Sequence, residues 1–163
     1  MSVTLILLPI ALAAAAAAGG VGALGAAVTA KGNTDAGADP APQVRVRTRM
    51  KDSTLLADAL ANIGATAVAV SRRRVTAEVE GVNLTMTLTD DGVWEAHVEG
   101  DDVTVVSASA LLQRLDGAYA AMVQQAVAEK IRLRAESSGF DLVSETREAD
   151  DTVTMVLNVR AEA

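Results

Sequence analysis

Cysteine is absent from the 163 residues of this chain, and aromatic residues are almost absent. Without cysteine the protein has no disulfides, no thiolate nucleophile, no thiolate ligands for an iron–sulfur cluster and no lipoprotein-type lipid anchor. One Trp, one Tyr and one Phe are too few to form the stacking platforms that hold nucleic-acid bases. The core must therefore be built from aliphatic residues, which suits a small domain of sheet and helix.

Charge is missing from the first 30 residues, whereas all 14 basic and all 21 acidic residues follow them. The apolar stretch from Val3 to Ala30 is longer than the roughly 20 residues that a helix needs to cross a hydrocarbon core of about 30 Å. Residues 1–30 are therefore predicted to form a transmembrane helix. The formal net charge of -7 belongs to the rest of the chain and disfavours nucleic acid as a partner, because non-specific binding depends on neutralising phosphates.

Two other interpretations of the apolar stretch stay open. Val28 and Ala30 could serve the small positions of a signal-peptide cleavage site, so that an exported protein would begin near Lys31. A signal peptide, however, also has a basic start and a shorter apolar run, and neither is present here. In the remaining interpretation, the segment only lies against a membrane or a partner.

The charges that follow the apolar stretch predict its orientation. Positive charge near the ends of a span stays on the cytoplasmic side, and here every basic residue is downstream, beginning with Lys31, Arg45, Arg47, Arg49 and Lys51. The sequence therefore predicts a single-pass protein of the cell membrane with a cytoplasmic C-terminal domain. Membrane lipid is one expected partner.

Small residues recur within the predicted span. Ala18, Gly22 and Ala26 have the i, i+4 spacing that lets two helix backbones approach closely, so a homo-oligomer through the apolar helix is one expectation and a monomer is the other. The run from Gly20 to Gly25 also spells G-x-G-x-x-G, but a dinucleotide-binding turn needs a preceding strand and a later acidic residue. No cofactor is expected.

Residues 31–43 are rich in Gly, Pro, Ala and polar residues and are predicted to be a flexible linker. Residues 44–163 are predicted to form an α+β domain with one antiparallel sheet packed by two helices. In its first strand, Val44 and Val46 alternate with basic residues. The row Arg45, Arg47, Arg49 and Lys51 is then either the solvated face of that strand or a contact to anionic lipid headgroups.

The later elements follow from periodicity and turn residues. Asp52 or Ser53 is placed to cap a helix that ends at Gly64, and Asp91-Gly92 predicts a tight hairpin within a meander of short strands. A long helix over 111–137, bent or broken near Gly117, is followed by two strands over 140–146 and 152–159.

The run from Val44 to Asp52, the helix that closes on Ile63-Gly64, the Asp90-Asp91-Gly92 turn and Ser138-Gly139-Phe140 before two strands resemble an uncharacterised family. It is known as domain of unknown function twelve-fifty-seven, or Ycf thirty-five in plastids and cyanobacteria, and the resemblance covers roughly residues 43–160. No catalytic motif comes with it. Because family members are often encoded beside AAA-type ATPases, the resemblance implies an accessory or adaptor role.

The single histidine, His97, is the basis of the one alternative in which the protein is an enzyme. Alternation places Glu95, His97 and Glu99 on one face of a strand, where a divalent metal could bind, although same-face neighbours lie nearly 7 Å apart and zinc sites usually use more than one His. We therefore expect no catalytic or metal-binding residues, and a membrane-tethered adaptor domain that binds a protein partner of unknown identity. An exported binding protein and a metal-dependent enzyme that uses His97 are the alternatives.

Overall fold

The structure is a computed structural model and describes residues 2–7, 43–149 and 151–160. These residues form an α+β fold with two antiparallel sheets and two helices. The elements are β1 (Ser2–Leu7), β2 (Gln43–Arg47), α1 (Ser53–Asn62), β3 (Thr66–Val70), β4 (Arg74–Val79), β5 (Val82–Leu88), β6 (Trp94–Glu99), α2 (Val105–Ser137), β7 (Phe140–Arg147) and β8 (Val153–Val159). The chain divides into two compact units, one of residues 12–119 and one of residues 1–11 with 120–163.

The larger unit, residues 12–119, contains a five-stranded sheet in the order β2-β6-β5-β4-β3. Every neighbouring pair in it is antiparallel, as the alternating pattern of the sequence predicts. The inward side chains are almost fully buried and aliphatic, with Trp94 as the one large aromatic among them. Val44, Val46 and Met50 point into this core, and the basic residues between them are exposed, so the predicted alternation is confirmed.

The helix α1 begins where the sequence predicts. Asp52 is its N-cap, and the side-chain carboxylate accepts hydrogen bonds from the backbone amides of Thr54 and Leu55. These bonds satisfy two of the amides that a helix start leaves without partners. Leu56, Ala59 and Leu60 face the core. Residue 64, with φ at 83°, needs the left-handed conformation that glycine adopts without strain.

The hairpin between β5 and β6 differs in detail from the prediction. Only Gly92 has a positive φ, whereas a two-residue turn of the expected type would need one at Asp91 as well. The Thr89 hydroxyl instead donates to the Asp91 carboxylate and, at 2.7 Å, lies within hydrogen-bond distance of the Val93 carbonyl. The loop is therefore longer than a two-residue turn and is held by a side chain.

The smaller unit contains a three-stranded antiparallel sheet in the order β1-β8-β7 and the second half of α2. All six residues of β1 pair with β8, from Ser2 opposite Asn158 to Leu7 opposite Val153. The core of this unit is a cluster of Ala128, Val153 and Met155, against which Leu5, Leu7 and Ile131 pack.

Three predictions about the secondary-structure elements need correction. Val3 to Leu7 are not the first turns of a transmembrane helix, because they form β1, whose alternate leucines pack on the buried face of β8. The strands within residues 44–163 do not all belong to one sheet, since the last two form a separate sheet with β1. The long helix is continuous through Gly117, and it starts earlier than predicted, at Val105.

The rest of the predicted span, including Ala18, Gly22 and Ala26, lies outside the described residues, as does most of the predicted linker over 31–43. Within the part of the chain that the structure describes, no helix combines the length and the apolar character needed to cross a membrane.

Candidate functional site

The basic row of β2 and its extension is the first candidate site. Arg45, Arg47, Arg49 and Lys51 all lie on the exposed side, opposite the core residues of the same segment. Each arginine has a carboxylate partner within the larger unit: Arg45 pairs with Glu95 at 3.7 Å, Arg47 with Asp91, and Arg49 with Asp116. The row is therefore a series of ion pairs and carries little net positive charge.

The pair of Arg49 and Asp116 differs from its neighbours in burial and geometry. Two parallel hydrogen bonds join it, from Nε to Oδ1 at 2.9 Å and from Nη2 to Oδ2 at 2.8 Å. The Asp116 side chain is only 7% exposed, whereas the Arg49 side chain is 39% exposed. A bidentate arginine is the cation best suited to a buried carboxylate. This pair therefore fixes the segment after β2 against α2.

Tyr119 lies one helical turn after Asp116 and extends the same contact. Its hydroxyl accepts hydrogen bonds from the backbone amides of Lys51 and Asp52, at 3.1 and 3.0 Å. The indole of Trp94 donates to the Lys51 carbonyl at 3.2 Å. The backbone amide and carbonyl of Lys51 thus both form hydrogen bonds that stabilise the fold. Among the described residues, its ammonium group has no ion-pair partner.

Sequence reasoning missed the importance of Asp116, although a signal was present. The residue stands four positions after Leu112 and three before Tyr119, both of which are buried, so it lies on the apolar stripe of α2. A carboxylate on such a stripe requires a partner, because an unpaired buried charge is very costly. The predicted lipid-contact row supplies that partner.

The row of Glu95, His97 and Glu99 lies on one face of β6, as alternation predicts. The His97 Nε2 lies 3.1 Å from Glu95 Oε1, and Glu99 accepts a hydrogen bond from the Gln43 amide. Across the sheet, Arg45 and Thr85 flank His97. Among the described residues, no three His, Cys, Asp or Glu side chains converge closely enough to hold a metal ion.

In the smaller unit, a buried glutamine side chain forms hydrogen bonds that the sequence pattern does not predict. Gln124 is buried, and its amide nitrogen donates to the carbonyls of Leu7 and Asp151 at 2.9 and 2.6 Å. Leu7 is the last residue of β1, so this side chain fixes the point at which the chain leaves the sheet for the apolar segment. The end of β1 consequently has a defined position in the smaller unit.

An ion pair in the same unit joins α2 to β7. Arg132 donates through Nε to Glu145 at 2.8 Å and also donates to Glu129 on its own helix. The hydrogen bonds from Arg132 stabilise the ionised carboxylate and hold the pKa of Glu145 below its ordinary value of 4.5. Both side chains are partly exposed, and the pair links the helix to the sheet.

No family model matches this chain, and no curated protein or solved structure shows a significant similarity to it. The resemblance drawn from the sequence pattern therefore stays a prediction.

Proposed function

We propose that this protein is a membrane-associated, non-catalytic interaction domain, held at the cytoplasmic face of the cell membrane by the apolar residues 8–30. The charge-free composition of this segment supports the membrane as its environment, because apolar side chains gain free energy on leaving water. The basic residues downstream favour the cytoplasmic face. Lipid is thus one partner, and a protein bound by the folded units is the other.

The pairing of β1 with β8 is the observation that carries this proposal. A single crossing between residues 8 and 30 would place β1 on one side of the membrane and β8 on the other, where their six residue pairs could not form. An apolar segment that enters the membrane and returns on the same side keeps that pairing. The pairing therefore favours a segment that enters and leaves the bilayer on the same side over the single-pass helix that hydropathy predicts.

The same strand argues against the exported alternative. Cleavage near Ala30 would remove β1 and leave β8 with one open edge, because only β7 would still pair with it. Leu5 and Leu7 would also be lost from the cluster around Met155. A mature chain that lacks residues 1–30 would thus lose part of the core of its smaller unit.

Membrane association is tested by flotation with lipid vesicles. The full chain is compared with a variant in which residues 8–30 are replaced by a Gly-Ser segment of the same length, which keeps β1. We expect the full chain to float with neutral and anionic vesicles alike at high salt, because the contact is apolar, and the variant to remain unbound. Flotation only with anionic vesicles, abolished by salt, would instead assign the contact to surface charge.

The enzyme alternative rests on His97 and is tested by His97→Ala. The proposal expects this variant to retain membrane association and partner binding, and expects the full chain to bind no stoichiometric divalent metal. Metal binding that disappears in His97→Ala, while the fold is unchanged, would favour the metal-dependent enzyme.

The protein partner is proposed from the family resemblance, which implies an adaptor for an AAA-type ATPase. Affinity purification of the solubilised full chain, followed by mass spectrometry, should recover an ATPase in stoichiometric amount. Self-association through Ala18, Gly22 and Ala26 is a separate part of the proposal. Gly22→Leu should shift a detergent-solubilised oligomer towards monomer, whereas Leu24→Ile, a control of conserved volume, should not.

A further inference from the structure

An open apolar groove lies on the surface of the smaller unit, between the last turns of α2 and the sheet. Its volume is about 290 Å³, near the lower end of the range typical of small-molecule sites. Val127, Ile131 and Ala135 line it from the helix, and Phe140 and Leu157 line it from β7 and β8. Phe140 is the only phenylalanine of the chain, so this groove contains a rare large apolar side chain.

Two cations, Lys130 and Arg134, border this α2–β8 groove one helical turn apart. Neither forms an ion pair with any described residue, and both side chains belong to exposed residues. The other arginines of the same unit, Arg132, Arg147 and Arg160, all pair with carboxylates. In a protein of net charge -7, the two cations of this unit that are unpaired among the described residues thus lie beside an apolar surface.

We infer that the α2–β8 groove binds a single-chain anionic amphiphile, whose alkyl chain lies along the apolar lining and whose carboxylate meets Lys130 and Arg134. The alkyl chain gains free energy by leaving water in contact with aliphatic and aromatic side chains. The carboxylate gains charge-assisted hydrogen bonds from cations that are not committed elsewhere. None of the residues that line the groove belongs to residues 8–30, so the inference goes beyond the proposed membrane contact.

The dimensions of the groove favour this ligand over a protein. A stable protein interface buries about 800 Å² on each partner, and a groove of 290 Å³ accommodates only a few side chains of such an interface. A second copy of this chain would also be repelled, because both copies carry a net negative charge. An alkyl chain with one anionic end matches both the volume and the charge of the site.

Photo-crosslinking of the full chain with dodecanoate that carries a diazirine near the end of its alkyl chain tests this inference. Peptide mass spectrometry should locate the label on residues 127–140 and 153–159, and unlabelled dodecanoate should compete with it better than dodecanol. The double variant Lys130→Gln with Arg134→Gln should reduce labelling of the groove about tenfold. The matched double variant Arg72→Gln with Arg74→Gln, whose arginines are also unpaired among the described residues, should leave it unchanged.

Any label on residues 8–30 serves as an internal reference, since partition into that apolar segment does not depend on Lys130 and Arg134. Ser138→Trp provides a second arm, because this exposed residue lines the groove and a larger side chain there should obstruct the alkyl chain. Circular dichroism reports whether each variant folds. Labelling confined to residues 8–30, equal competition by dodecanol, or groove labelling that survives both the charge and the Trp variants would overturn the inference.

Discussion

At the scale of the residue, the charged side chains of this protein mainly position one another. The basic row that reads from sequence as a lipid contact is largely neutralised, because Glu95, Asp91 and Asp116 each pair with one of its arginines. Alternation along β2 predicted which face these arginines occupy. It could not predict their partners, because Asp116 lies far away in the sequence and reaches Arg49 only through the fold.

Removing Arg49 should destabilise the larger unit more than removing Arg47. Arg49→Ala leaves the buried Asp116 carboxylate without its bidentate partner, and we expect a loss of about 2 kcal/mol, less than for a fully buried pair because Arg49 is partly exposed. Arg47→Ala breaks an exposed pair and should cost under about 1 kcal/mol. Urea unfolding measures both. Equal losses would show that burial of Asp116 does not distinguish the two pairs.

Acidification should remove the contribution of the Arg132–Glu145 pair. The pKa of Glu145 is lowered in the folded state, so the folded protein is favoured above the ordinary value of 4.5, and this contribution disappears as the pH falls through the lowered pKa. Glu145→Gln should therefore be less stable than the wild type at pH 7. The difference should shrink below pH 4.5. Urea midpoints at several pH values measure it, and a difference that grows on acidification would contradict the assignment.

At the scale of the element, local patterns predicted most of the fold. The N-cap at Asp52, the alternating strands of the meander and the final pair of strands are all present, because each depends on neighbours close in sequence. Strand β1 was missed. Its residues are mostly apolar, which fits a membrane helix as well as a buried strand. Only the pairing with the distant strand β8 shows that they belong to a sheet. Non-local pairing of this kind leaves no periodic signal in a short apolar run.

Deleting β1 should loosen the smaller unit selectively. In a chain that starts at Lys31, β8 loses one of its two neighbours, and the cluster around Met155 loses Leu5 and Leu7. Hydrogen exchange should show faster exchange for β8 amides, whereas amides of β5, in the other sheet, should remain protected. Unchanged protection of β8 would mean that β1 contributes nothing to the sheet.

At the scale of the whole molecule, the apolar segment is an insertion between two strands. β1 precedes it and β2 follows it, so folded structure lies on both sides of residues 8–42 in the chain. Hydropathy predicted the segment as a single crossing with a cytoplasmic domain. Hydropathy measures only the length and polarity of an apolar run. It carries no information about the pairing of β1 with the distant strand β8.

The most direct test of this account is the sidedness of β1. Because the chain has no cysteine, Ser2→Cys and, as a reference on the larger unit, Asp90→Cys can each be labelled with a membrane-impermeant maleimide in intact cells and in inverted membrane vesicles. Both positions are exposed. The account predicts that both cysteines react only in inverted vesicles, on the same face of the membrane. Labelling of Ser2→Cys in intact cells, with Asp90→Cys labelled only in inverted vesicles, would contradict it and restore the single crossing.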